Sequence, residues 1–245
     1  MGRRAAAGMT RRLGVGRAVE GILVATMTDL ELLGKSELFS AFDDSTLQRM
    51  LGHVEAVTCK RNAVIFGEGD EASDLYVVDT GRVGLGRRSP DGRESLIALT
   101  ERGDVFGEMP LFDDGPRSTS ARALERSKVL RIPYGPVRSA FDDSPVLLWN
   151  VVHLLVRRLR ATDSDLADAV LLDVTGRTAK RLLEMAGPSD EFALPITQEE
   201  LAGLVGASRE RVNKAIAAFI RLGWIEQADR RYRIISRERL EQRAR

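Results

Sequence analysis

Between Ser144 and Leu172 the chain carries no glycine and, after Pro145, no proline. A run of that length reads as one helix starting at Ser144-Pro145, an N-cap followed by a proline in the first turn. Along it Leu148, Val152, Leu155, Leu159, Thr162, Leu166 and Ala169 recur at alternating spacings of four and three. That is a heptad seam, and a heptad seam has to be covered by another surface. The cover is either the chain's own preceding domain or the same seam on a second copy. Thr162, the one polar member, is the kind of residue that fixes register or meets a ligand.

The texture differs on the two sides of this helix. Short helical patterns fill Asp29 to Met50. From Val54 onward, brief β-rich runs follow one another: VEAVTCK, AVIFGEG, DLYVVDTG, RVGLGRRSPDG, RESLIALTERG and KVLRIPYG. Glycines punctuate them, and Asp91-Gly92 after Pro90 is a hairpin turn signal. Many short strands with glycine-rich turns predict a jelly roll or sandwich.

The stretch from Phe106 to Ser120, FGEMPLFDDGPRSTS, breaks the β pattern. It reads as a single helical turn, a loop and a return to strand, with Pro110 suited to the first turn. Free amides at a helix start attract an anion. Arg117 would close on that anion with a charge-assisted bond, Ser118 would add a hydroxyl, and Glu108 would accept from a sugar hydroxyl. The alternative is a Glu–Arg ion pair on the surface of a loop.

After the long helix, ITQEELAGLVGASRERVNKAIAAFIRLGWI spans Ile196 to Ile225. Thr197 and Glu200 make a capping box, Leu201, Leu204 and Val205 share one face, and Gly206 supplies the left-handed stop. Ser208 caps a second helix with Val212, Ile216 and Phe219 on its inner stripe. Small Ala202 allows close crossing. Two helices so joined form a helix-turn-helix, whose second helix reads the major groove from its N-terminal end. Here that end presents Ser208, Arg209, Glu210, Asn213 and Lys214. Arginine can bond guanine O6 and N7 together, and glutamate can accept from cytosine N4.

Composition removes other classes. The net charge is only +1, but Thr175 to Arg245 holds fourteen Lys and Arg against ten Asp and Glu, the sign a phosphate-binding module needs. One cysteine, Cys59, is too few for an iron–sulfur cluster and suits a reducing cytoplasm. Two histidines, His53 and His153, make a cupin-type metal enzyme a remote alternative. No metal site, nucleophile–base pair or membrane span is expected. Residues 1–26, with Arg3, Arg4, Arg11, Arg12 and Arg17, read as a basic, disordered extension, or as sequence preceding a true start at Met27.

Three segments together, FGEMPLFDDGPRSTSA, RRLRAT…LLDVTGR and TQEELAGLVGASRERVNKAI, resemble the CRP/FNR family of bacterial transcription regulators. Their order and spacing look most like the cyclic AMP receptors of actinobacteria. The resemblance implies an α+β architecture: a jelly-roll sensor over 27–143, a dimerisation helix over 144–172 and a winged helix-turn-helix over 173–245. It also implies that Gly107 and Glu108 hold a ribose, that Arg117 and Ser118 hold a cyclic phosphate with Thr119 beside them, and that Arg158 and Thr162 face the nucleotide. Thr197 and Ser208 would touch DNA phosphates, Arg209, Glu210 and Lys214 would read bases, and Arg230, Arg231 and Arg233 would form the wing. Met109-Pro110 replaces the family's commoner Leu-Ser or Leu-Gly. Asp163 stands where its cyclic AMP binders carry Ser or Asn. The link Met185–Pro195 looks short for the loop through which the family contacts RNA polymerase.

The expected molecule is a cytoplasmic homodimer that binds a palindromic operator in double-stranded DNA under control of a cyclic nucleotide, cyclic AMP first among them. In the alternative, the same regulator binds DNA without a ligand or with a different one.

Overall fold

The computed structural model describes residues 19–88, 94–194, 196–229 and 231–245. They divide into two compact units: residues 19–87 with 99–154, and residues 88 and 94–98 with the described residues from 155 to 245. The hairpin turn expected at Asp91-Gly92 lies outside the described residues.

The first unit opens with strand β1 (Val19–Val24) and helices α1 (Met27–Lys35) and α2 (Asp44–Leu51). Strands β2 (Glu55–Cys59), β3 (Val64–Phe66), β4 (Asp74–Thr80), β5 (Val83–Arg88), then β6 (Glu94–Thr100), most of which groups with the second unit, and β7 (Val105–Phe106) follow. Then come the one-turn helix α3 (Met109–Asp113), β8 (Ser120–Ala123), β9 (Ser127–Pro133) and α4 (Tyr134–Asp143). The strands form two sheets, ordered β1-β2-β9-β4-β7 and β3-β8-β5-β6.

Alternation along the strands makes two cores, because successive side chains leave a strand on opposite faces. On β4, Tyr76 and Val78 pack with Val57, Phe66, Phe106 and Val129, residues drawn from both sheets. Leu75 and Val77, between them in sequence, point the other way and pack with Leu33, Phe39, Tyr134 and Phe141 of the helical layer. Leu147, Val151 and Leu154 belong to that second core, so the start of the long helix is rooted in the first unit.

The extension expected through residue 26 is in part a strand. β1 pairs antiparallel with β2, Ile22 opposite Val57. Its Ile22, Leu23 and Val24 side chains are exposed. The backbone ladder holds the strand, so no buried alternation marked it.

The long helix begins more loosely than its sequence suggests. Ser144 makes no capping hydrogen bond, and Pro145–Leu147 is a 3-10 turn leading into α5 (Leu148–Leu171). Only Val151 and Leu154 of α5 are buried. The seam is exposed: Leu159 is 61% and Leu166 64% accessible, and Leu148, Val152 and Leu155 are also open.

In the second unit α6 (Val174–Ala186) starts at Asp173, which accepts from the Gly176 amide at 2.8 Å. β10 (Glu191–Ala193), α7 (Gln198–Val205), α8 (Arg209–Arg221), β11 (Ile225–Ala228), β12 (Arg231–Ile234) and α9 (Arg237–Arg243) complete it. The small sheet has the order β10-β12-β11. Leu182, Leu201, Val205, Val212, Ile216 and Phe219 are buried, the inner stripes that periodicity assigns to α7 and α8 among them.

Candidate functional site

The loop around α3 is built on Gly107, which ends β7 with φ +72°. A Cβ there would stand 2.5 Å from Arg117 Nη1 and 3.1 Å from Phe66 Cε1, so only glycine fits this approach. Glu108 and Arg117 are 2% and 4% exposed. A surface ion pair on a loop is thereby excluded.

Arg117 stands inside a polar cage with an aromatic floor. Its Nη1 donates to the Gly107 carbonyl at 2.6 Å and to the Tyr134 hydroxyl at 3.2 Å, and its Nη2 donates to the Asp74 carbonyl at 2.7 Å. The guanidinium carbon lies 4.1 Å above the Phe66 ring centre, a cation–π contact. Nε is buried with no hydrogen-bond partner among the described residues. An unmet buried donor costs about 1–3 kcal/mol, which an acceptor reaching this face of the arginine would recover.

Ser118 is exposed, and its hydroxyl lies 3.6 Å from Met109 Sδ. Thr119 is half-buried beside it. An anion bearing sugar hydroxyls fits this set: a buried guanidinium whose Nε–H is unspent, an accessible serine hydroxyl to donate and the Glu108 carboxylate to accept. Arg158, Thr162 and Asp163 belong to the second unit, on α5. Thr162 donates back to the Arg158 carbonyl at 3.0 Å, within the helix.

The second constellation is the α7–α8 pair. Thr197 Oγ1 accepts from the Glu200 amide at 3.2 Å, and the Glu200 carboxylate accepts from the Thr197 amide at 2.8 Å. Gly206 ends α7 in the left-handed region, φ 67°. Ser208 caps α8 by accepting from the Arg211 amide. Ala202 and Val212 are both buried where the helices cross.

Arg209, Glu210 and Lys214 project from the exposed side of α8. Lys214 Nζ and Glu210 Oε1 form an i,i+4 pair at 2.8 Å with both side chains about three-quarters open. Asn213 is half-buried, and its Oδ1 has no hydrogen-bond partner among the described residues. The β11–β12 hairpin turns through Asp229 at φ 55°, with Arg231 exposed on its second strand. Arg230 lies outside the described residues, and Arg233 is engaged with Glu191 of β10.

Family comparisons match both regions. The cyclic nucleotide-binding domain family covers residues 56–144, and the Crp-like helix-turn-helix domain covers residues 176–243. The chain is 39% identical over 222 residues to a CRP-like cAMP-activated global transcriptional regulator of Mycobacterium tuberculosis, spanning 88% of this chain and 99% of that one. The chain belongs to the CRP family of cyclic-nucleotide-regulated, DNA-binding transcription regulators.

A CRP of Salmonella typhimurium is 31% identical over 180 residues, 71% of this chain and 86% of that one. Among solved structures, the c-di-GMP-responsive regulator CLP of Xanthomonas campestris aligns with a TM-score of 0.68 at 25% identity, covering 78% of this chain and 99% of that chain. Among the described residues no metal-holding cluster occurs, and no helix is long and apolar enough to cross a membrane.

Several residues that shape these CRP-like sites carry no signal in the sequence. Asp74 offers its backbone carbonyl to Arg117, and any residue has one. Tyr134 reaches Gly107 from 27 residues away. Arg177 secures the end of α7 through the Val205 carbonyl at 2.9 Å.

Proposed function

We propose that this regulator works as a homodimer that binds cyclic AMP in the Gly107–Thr119 loop and, in response, a palindromic operator. The observation that carries the nucleotide part is the buried Arg117 Nε with no partner among the described residues. A cyclic phosphate oxygen would satisfy it, Ser118 would donate a second bond, and Glu108 with the Gly107 backbone would take the ribose. Met109 and Thr119 would border the phosphate. The exposed seam supports the dimer, and in the dimer Arg158, Thr162 and Asp163 would lie toward the base.

On DNA, Thr197 and Ser208 would touch phosphates. Arg209, Glu210, Asn213 and Lys214 would meet bases, and Arg231 would reach the backbone from the wing. Two copies of α8 related by a two-fold axis read half-sites one helical turn apart. A TGTGA-like half-site with its inverted copy is expected from the resemblance. The role is binding rather than catalysis, in the cytoplasm, with RNA polymerase as the partner on bound promoters.

Nucleotide and operator are linked through their preference for the same arrangement of the protein. Calorimetry with cyclic AMP and cyclic GMP, with and without operator DNA, tests this. Cyclic AMP should bind, and should bind more tightly to the operator complex. Strong operator binding indifferent to either nucleotide would leave the DNA function and remove its cyclic AMP control. Asp163 favours that second reading, because it sets a carboxylate where an anionic ligand has to settle.

A further inference from the structure

Tyr134 is the first residue of α4, and its ring is buried in the core shared by the helical layer and the outer face of β4. Its hydroxyl leaves that core to meet the loop. It donates to the Gly107 carbonyl at 2.6 Å and accepts from Arg117 Nη1 at 3.2 Å, while Nη1 donates to the same carbonyl at 2.6 Å. Three polar groups close a triangle, each fixing the other two.

The tyrosine is itself fixed. Its amide donates to the Ser73 carbonyl at 2.9 Å, next to Asp74, whose carbonyl takes Arg117 Nη2. Burial pushes the phenol up to about 12, so it keeps its proton and remains a donor at any physiological pH. Further along α4, Arg138 Nη2 donates to the Leu111 carbonyl at 3.0 Å and pairs with Asp114, and Phe141 lies against Phe112. Helix α4 therefore holds the loop at both ends: at Gly107 and at the close of α3.

From this geometry we infer that Tyr134 is a positioning residue for Arg117, orienting the guanidinium for an anionic ligand and tying it to α4. The inference rests on the reading that Arg117 receives the cyclic phosphate. Phenylalanine at 134 would keep the buried ring and lose only the hydroxyl. Arg117 Nη1 would then keep one acceptor instead of two, and the Gly107 carbonyl one donor instead of two. Nothing else in the cage replaces that side of the triangle. With two of the three printed hydrogen bonds left, to Gly107 and Asp74, the unspent Nε edge would be held less firmly, and part of the advantage of a donor oriented before the ligand arrives would go.

The test is a double-mutant cycle on the full chain, with cyclic AMP binding measured by calorimetry for wild type, Tyr134→Phe, Arg117→Lys and the double variant. Tyr134→Phe should weaken binding about tenfold, in line with loss of a hydrogen bond to a charged group. Added to Arg117→Lys it should change binding less than about twofold, because the group it positions is gone. Unchanged binding in Tyr134→Phe would overturn the inference. So would an equal loss in both backgrounds, which is what a merely structural tyrosine gives.

A second measurement needs no nucleotide. The Arg117 guanidinium 15N resonances, assigned by their disappearance in Arg117→Lys, should shift and broaden in Tyr134→Phe. If they stay unchanged, the tyrosine does not orient the arginine. If wild type fails to bind cyclic AMP, the reading of the loop fails, and the resonances still decide the tyrosine's part.

Discussion

Arg177 Nε donates to the Val205 carbonyl at 2.9 Å, binding the middle of the second unit to the last turn of α7. Its Nη1 donates to the Leu172 carbonyl at 2.7 Å, just past α5. Both acceptors belong to helix C-termini, where carbonyls lack intrahelical partners and the dipole is negative. One cation thus satisfies two helix ends and sets where Gly206 turns the chain into α8. Arg177→Ala should destabilise the second unit by about 1–3 kcal/mol and weaken operator binding. Lysine should recover only part of this, since one ammonium cannot span both carbonyls in fixed geometry. Urea denaturation and operator titration of the two variants check it.

Gly107 and Gly206 both have positive φ, for different reasons. A Cβ at Gly206 would meet nothing within 4 Å, so Gly206→Ala carries only the left-handed backbone penalty, about 1–2 kcal/mol. At Gly107 the added carbon would displace Arg117 Nη1 and press on the Phe66 ring. Gly107→Ala should therefore abolish cyclic AMP binding, while Gly206→Ala lowers the thermal midpoint and leaves that binding intact. Calorimetry and a melting curve on each variant separate the two.

These contrasts also explain what the sequence can and cannot say. The helix-turn-helix is legible because its signals are local: Thr197 with Glu200, Gly206 and Ser208 act within a few residues of one another. The long helix and its seam are legible because a heptad repeats. The strand Val19–Val24 is not, since its Ile22, Leu23 and Val24 are all exposed and leave no alternation to detect. The arginine cage is only half legible. Arg117 and Glu108 stand out as charged residues in a loop. The groups that hold Arg117 are backbone carbonyls, which carry no residue identity, and a tyrosine brought in by the β9–α4 junction.

Acid should weaken both units through particular carboxylates. Burial works to raise Asp29, but the Lys128 ammonium at 2.9 Å and the Thr26 amide at 2.7 Å hold it below the usual carboxylate range. Asp173 is held low by the Gly176 amide and then by Arg243. A carboxyl with a depressed value in the folded state contributes stability above its unfolded value of about 3.9 and loses it as pH falls through the folded value. The thermal midpoint should therefore hold from neutrality to about pH 5 and fall below about pH 4. Asp29→Asn should be less stable at neutral pH and show a shallower acid decline in the same melting series.

Asp163 is exposed on α5, one residue beyond Thr162. In the proposed dimer it places a carboxylate near an anionic nucleotide and near its own counterpart, both unfavourable at short range. Asp163→Asn removes the charge and keeps the size and an amide oxygen for the adenine amino group. Cyclic AMP affinity should rise by about three- to tenfold, roughly the effect of one screened unit charge. Titration calorimetry at low and high salt checks this, with the gain larger at low salt.

In the proposed reading of DNA, Glu210 gives up Lys214 to meet a base. The pair sits at 2.8 Å on an open helix face, where such pairs are worth only about 0.3–0.5 kcal/mol, so the base edge competes with it easily. Arg209→Ala should cost about 1–3 kcal/mol and relax preference at one guanine per half-site. Glu210→Ala should do the same at one cytosine, and its effect should be nearly independent of salt. Arg231, on the wing strand, should behave otherwise: Arg231→Ala weakens all sequences about equally and lowers the steepness of the salt dependence. Competition binding over a set of single-base operator variants at two salt concentrations distinguishes the two behaviours. Unaltered base preference in Arg209→Ala would take α8 out of the major groove.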